Sequence, residues 1–236
     1  MTRRGRGQQP STRRGRVVAL VGAESTGKTA LAQALARELG ATTGLAVTWV
    51  DEWLRAWCDR EGRTPRADEQ AAIAAEQQRR IDAAAAGHDL VIADTTPLMT
   101  AVYSLLLFDD RSLLPFAVEA HRGYAATLLT AVDLPWQPDG LQRDGPHVRE
   151  PVDRLIRATL AGHGLAWSVV GGTGEARVAQ AVDALAPLLR GIAPAGSGLF
   201  TRLAARDAAS AAWRWVCTEC DVPDCEHALR RAAGAR

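Results

Sequence analysis

Gly22-Ala23-Glu24-Ser25-Thr26-Gly27-Lys28-Thr29 carries the spacing G-x-x-x-x-G-K-[ST], in which loop amides surround phosphate oxygens and a lysine reaches between two phosphates. Here the loop amides through Ala30 would hold ATP, Lys28 would contact its β and γ phosphates, and the Thr29 hydroxyl would ligate Mg²⁺. Lys28 is the sole lysine among 28 lysines and arginines. A compact ammonium acts as a point charge between phosphates, which a planar guanidinium cannot imitate.

Further chemistry is sought beyond the carboxyl ends of parallel strands, where ligands of open α/β sheets bind. Asp51-Glu52 follows the second apolar run, with Arg55 one helical turn on; Glu52 would orient or deprotonate an acceptor hydroxyl, or serve as an acidic first turn favouring the helix dipole. Asp94 follows Val91-Ile92-Ala93 and stands where a carboxylate holds Mg²⁺ directly or through water. Glu52 and Asp94 could exchange these roles. The stretch from Asp133 to Arg149 is polar and rich in proline and glycine and reads as a lid. Its Arg143 and Arg149 would clamp the transferring phosphates, or form surface ion pairs with Asp139, Asp144 or Glu150. Trp136 would stack on an aromatic ring or pack the lid. Gly172, within Gly171-Gly172-Thr173-Gly174, permits close backbone approach to adenine, with Arg177 opening the next helix.

These positions need a scaffold, and the apolar pattern supplies one. Val17–Val21 is a short buried-strand run entering the loop, and Leu31, Leu35 and Leu39 recur on one helical face up to Gly40, which reads as the C-terminal cap. Four more strands are predicted at 45–50, 89–93, 127–132 and 166–170, separated by helical patterns. That alternation defines a parallel α/β sheet with helices on both faces. Pro65, Pro97 and Pro151 each mark a first helical position, and 67–86 reads as one helix closed by Gly87.

The loop, the Glu52-Trp53-Leu54-Arg55 stretch, Asp94-Thr95 with Thr100 and Tyr103 downstream, and Asp133-Leu134-Pro135-Trp136 through Asp139-Gly140 together resemble the ribosylnicotinamide kinase domain of bacterial regulators of NAD synthesis, over about residues 17–190. The resemblance implies a P-loop NTPase fold, a three-layer sandwich around a five-stranded parallel sheet. It also implies transfer of the ATP γ-phosphoryl group to the 5′-hydroxyl of nicotinamide riboside. The acceptor would meet Glu52, Arg55, Thr96, Tyr103, Trp136 and Asp139. The family's Asp-Gly-x-Arg departs here to Asp139-Gly140-Leu141-Gln142-Arg143, with the arginine one position late. No adenylyltransferase domain or helix-turn-helix is recognisable.

A chain of 236 residues accommodates one such domain, taken as 17–190, with an arginine-rich tail at 1–16 and a tail at 191–236. Six arginines crowd that first segment among polar residues, which reads as a solvated, disordered arm rather than a nucleic-acid grip. A net charge of +1 carries no overall nucleic-acid or membrane signature. No run reaches the ~20 apolar residues of a membrane span, and a cytoplasmic protein is expected. A linker at 191–198 and a helix at about 199–216 lead to Cys217, Cys220, Cys225 and His227. Those four would form a Cys₃His zinc site, or a redox-active or merely reduced thiol set. Two other readings remain beside a nicotinamide riboside kinase: another nucleoside or nucleotide kinase, and an ATP-sensing module with a nucleic-acid or protein partner. The sequence does not fix the oligomeric state.

Overall fold

The computed structural model describes residues 14–137, 145–194, 198, 199 and 201. The chain divides into two compact units, residues 1–195 and 196–236. Every element below belongs to the first unit.

Five parallel strands form one sheet: β1 (Arg16–Val21), β2 (Val47–Val50), β3 (Leu90–Asp94), β4 (Ala126–Thr130) and β5 (Ser168–Val170). Their order is β2-β3-β1-β4-β5, with Val18 opposite both Ile92 and Ala126. In β1, Val17 to Val21 are all buried, as a strand covered on both faces requires. Seven helices connect and cover the sheet: α1 (Lys28–Thr43), α2 (Trp53–Glu61), α3 (Gln70–Gly87), α4 (Pro97–Phe108), α5 (Leu114–Arg122), α6 (Arg149–Gly162) and α7 (Gly174–Ile192). Val21 packs with residues of α4 and α6, and Val17 with Ile81 and Ala85 of α3. Strand side chains alternate, so Val18 and Leu20 face the opposite side. There α1 packs against α7, burying Leu31, Leu35 and Leu39 from one and Leu185 and Leu189 from the other. The expected three layers are therefore present.

Several expected boundaries move. Helix α1 runs through Gly40 and stops at Thr43, capped by Gly44 at φ 73°. The apolar face at Leu39 is carried one turn further by buried Thr43, whose hydroxyl donates to the Leu39 carbonyl at 2.5 Å. The segment begun at Pro65 forms only a 3₁₀ turn, Ala67–Glu69, before α3 starts at Gln70. Thr96-Pro97 opens α4 as expected, but α6 starts at Arg149, placing Pro151 inside its first turn, a position where the missing N–H is harmless. Arg16 already belongs to β1, the Gly15 N–H donates to the Ala85 carbonyl at 2.8 Å and Arg14 pairs with Asp82, so the ordered domain begins before residue 17. Helix α7 extends to Ile192, two residues into the expected linker. Asp139, Arg143, most of the 199–216 helix and the cluster of Cys217, Cys220, Cys225 and His227 lie outside the described residues. Among the described residues, no helix is long and apolar enough to cross a membrane.

Candidate active site

Between β1 and α1 the chain turns tightly over the end of β4. An added methyl at Gly22 would stand 2.0 Å from the Thr130 hydroxyl, so only glycine fits against that strand. Ser25 and Gly27 adopt left-handed φ values of 53° and 73°, which turn successive loop amides toward one concave side. The Thr26 hydroxyl donates to the Ala23 carbonyl and meets the Thr130 hydroxyl, both at 2.7 Å. The Lys28 ammonium donates to the carbonyls of Gly22 and Ala23 at 3.0 and 2.8 Å. From α7, buried Arg177 donates to the Thr26 carbonyl at 2.7 Å and the Gly172 carbonyl at 2.9 Å, and pairs with Asp133 at 3.1 Å. The loop is thus tied to β4 by hydroxyls and to α7 by a guanidinium.

Beside the loop, the Thr29 hydroxyl donates to the Asp94 carboxylate at 2.5 Å. Asp94 is 1% exposed, and its second oxygen is buried without a partner. Burial pushes this carboxyl above the ordinary aspartate range, opposed by the nearby Lys28 charge and the Thr29 hydrogen bond. An unpaired buried carboxylate oxygen next to a hydroxyl fits a hard divalent cation, which takes oxygen donors of these two kinds. The following residue, Thr95, has φ 66°, a strained conformation for a β-branched side chain. Its N–H donates to the Leu20 carbonyl at 3.0 Å, which locks the strand end where Asp94 emerges.

The loop opens on a cavity of about 560 Å³, with Glu24, Lys28, Glu52, Arg55, Thr95 and Tyr103 on its walls. The Tyr103 hydroxyl donates to one Glu24 oxygen at 2.9 Å, while the other is buried without a partner. Glu52 caps the start of α2 and pairs with Arg55 at 3.8 Å. Its backbone is set by Gln77 of α3, which accepts from the Trp53 N–H at 2.7 Å and donates to the Asp51 carbonyl at 3.2 Å. The guanidinium of Arg80 lies 3.9 Å from the Trp53 ring centroid, further fixing this corner. The rest of the wall is largely apolar, from Leu54, Met99, Leu106, Leu107 and Phe108. Thr64 and Pro65 also face it, on a segment braced by two 2.7 Å bonds from Arg63 to Glu69. The Arg63 guanidinium, with the Arg66 N–H, holds the Glu69 carboxyl down to about 2.

The structure therefore gathers Lys28, Glu24, Glu52, Arg55 and Tyr103 around one cavity and sets Thr29 against Asp94. Arg149 stands at the head of α6, 7% exposed, with two of its guanidinium nitrogens buried and unpaired. Glu150 faces Arg154 at 3.8 Å. Thr96 is buried as the α4 cap and Thr95 occupies the cavity wall instead. Trp136 is not on the wall; its indole N–H is buried and unpaired, on a segment where the Gln137 N–H donates to the Ser25 hydroxyl at 2.8 Å. Arg177 donates to both Gly172 and the loop, while the Gly172 N–H donates to the Asp133 carboxylate at 2.5 Å. Sequence reasoning gave no role to Gln70, Gln77 or Asp133; the chain signal for Gln77 was its place on the buried face of a long helix.

A phosphate loop after a central strand, an acid on the neighbouring strand and a cavity onto which the loop opens define a P-loop protein of the nucleotide-kinase or NTPase kind. Residues 17–177 match the family described as an AAA domain, and the chain belongs to that family. Among solved structures, it is similar to a NadR protein in complex with NAD and AMP-PNP: 23% identity, TM-score 0.57, covering 73% of this chain and 49% of that one. A NadR protein in complex with NR gives 22%, 0.57, 73% and 50%. Thymidylate kinase from Ehrlichia chaffeensis gives 14%, 0.54, 73% and 100%. This chain thus spans about half the length of the NadR proteins, and the likenesses establish a shared fold. No curated protein matches it.

Proposed function

We propose that this protein is an ATP-dependent kinase of the cytoplasm that phosphorylates the 5′-hydroxyl of nicotinamide riboside, giving nicotinamide mononucleotide and ADP. The observation that carries the reading is that Glu24 and Lys28 of the phosphate loop and Glu52 line one partly apolar cavity large enough for a nucleoside, with Thr29, next to Lys28, bonded to Asp94. The acceptor oxygen attacks the γ-phosphorus, the bond to the β–γ bridging oxygen breaks, and the hydroxyl proton passes to a carboxylate. Lys28 and the loop amides stabilise charge on the phosphates, and Arg149 offers its unpaired nitrogens to the same end. Thr29 and Asp94 would hold Mg²⁺, which neutralises phosphate charge when bound. Glu52 faces the cavity whereas Asp94 is engaged by Thr29, so Glu52 is assigned to the acceptor hydroxyl. Trp136, on the segment that touches the loop, and Asp139 and Arg143 belong to the lid in this reading.

The likeness to NadR proteins supports the pyridine nucleoside, as the likeness to thymidylate kinase supports a second reading, a kinase for another nucleoside or nucleotide. The test is ADP release from Mg-ATP across a panel of nucleosides and nucleoside monophosphates. Nicotinamide riboside should give the highest kcat/KM. Equal or better turnover of thymidine monophosphate or an ordinary nucleoside would replace the first reading with the second, and ATP binding without transfer to any of them would leave a sensor.

A further inference from the structure

We propose that Gln70 reads a carboxamide on the acceptor, so that the cavity selects an amide-bearing ring over the same ring carrying a carboxylate. The inference rests on the pyridine-nucleoside reading above and names the part of the substrate that this residue recognises.

Gln70 is the first residue of α3, 3% exposed, and lines the acceptor cavity. Its amide oxygen is buried and accepts no hydrogen bond. Gln77 provides an internal comparison, two turns along the same helix and 2% exposed. Both ends of the Gln77 amide are used, one by the Trp53 N–H and the other by the Asp51 carbonyl. A buried glutamine that serves packing in this helix is thus satisfied by the protein, whereas the one at the cavity is not. Leaving a buried amide unpaired costs free energy, and such groups find a partner in a native complex.

The partner's chemistry follows from the amide itself. A carboxamide offers one acceptor oxygen and two N–H donors, and a group matching both at once must also carry a donor beside an acceptor. A primary carboxamide does so whichever way the Gln70 amide is turned. A carboxylate only accepts, so it would leave the buried Gln70 oxygen without a donor. The apolar wall at Leu54, Met99 and Leu107 suits the ring that bears the group.

The test compares kcat/KM for nicotinamide riboside and nicotinic acid riboside in the parent, Gln70→Met and Gln70→Glu. The parent should favour the amide by about tenfold or more, the discrimination that one polar contact supports. Gln70→Met should reduce that ratio about tenfold, through KM for the amide, with kcat within about threefold. Gln70→Glu keeps an acceptor of the same length and should hold the ratio at or above the parental value, which also serves if the Met variant does not fold. An unchanged ratio in Gln70→Met, or a ratio in Gln70→Glu fallen to the Met level, overturns the inference while the kinase reading stands. Failure of the parent to phosphorylate either pyridine nucleoside, with turnover of a different nucleoside, overturns both.

Discussion

Replacing Arg177 with methionine should loosen the phosphate loop from a distance. The guanidinium is 5% exposed and supplies the Thr26 carbonyl at 2.7 Å, the Gly172 carbonyl at 2.9 Å and Asp133 at 3.1 Å. Methionine keeps the stem and removes all three. Each orphaned carbonyl costs about 1–3 kcal/mol when water cannot replace the donor. The Asp133 side chain is 36% exposed, so solvent makes up much of that loss and the pair adds little. The sum is about 3 kcal/mol, a sizeable part of the ~5–15 kcal/mol that holds a domain together. Urea unfolding without nucleotide should show this as a lower midpoint at unchanged slope. Arg177→Lys, which retains a single donor group, should lose about half as much. Because Thr26 lies inside the loop, the KM for ATP should rise about tenfold in the methionine variant. Stability within about 0.5 kcal/mol of the parent, with ATP affinity unchanged, would refute the view that this arginine braces the loop.

Lys28→Ala should lower phosphoryl transfer at least ~100-fold while shifting thermal unfolding little, since the ammonium's hydrogen bonds among the described residues go to loop carbonyls; retained turnover would remove it from the mechanism. Gly22→Ala should cost about 2 kcal/mol through collision with the Thr130 hydroxyl, and adding Thr130→Ala should restore part of that in a double-mutant cycle by denaturation, with strict additivity counting against the collision. His121 is buried against the Thr127 hydroxyl, and burial holds its pKa at about 4. The unfolded ring takes a proton below about 6.5 and the folded one does not until about 4, so this stabilisation is complete above pH 6.5 and lost as pH falls through that window. Between pH 7 and 5 the loss is about 2 kcal/mol, and His121→Phe should flatten that part of the pH–stability curve measured by urea unfolding.

What could be read from the chain was what is local. The phosphate loop, the five strands and the Thr96-Pro97 helix start all declare themselves within a few residues, through glycine spacing, β-branched runs and a proline at the first helical position. The end of α1 misled because Gly40 is tolerated inside a helix whose Leu39 turn is held by packing, while the cap falls to Gly44. The partners that site residues find in distant elements left no such trace. Glu24 meets Tyr103 from another element, and Arg177 of α7 reaches Thr26 in the loop, far along the chain. Gln70 carries no strand-end signal, because the far side of the cavity is built by the α2–α3 connection and the head of α3.

The strand order has a consequence for how the chain comes together. The phosphate loop hangs from β1, whose two neighbours are β3 and β4, so the earliest strand made acquires its second flank only when the fourth is in place. During synthesis β1 and β2 cannot pair with each other and must wait for β3 to seat between them. Until β4 arrives, one edge of β1 stays bare, with its apolar side chains and unpaired amides available to other chains. Closing such long loops is slow relative to local helix formation. The Thr130 hydroxyl that ties the loop stands at the last residue of β4, so a competent anion site and a protected sheet centre arise in one event. Nucleotide retention by chains of increasing length would therefore mark the moment at which the sheet closes.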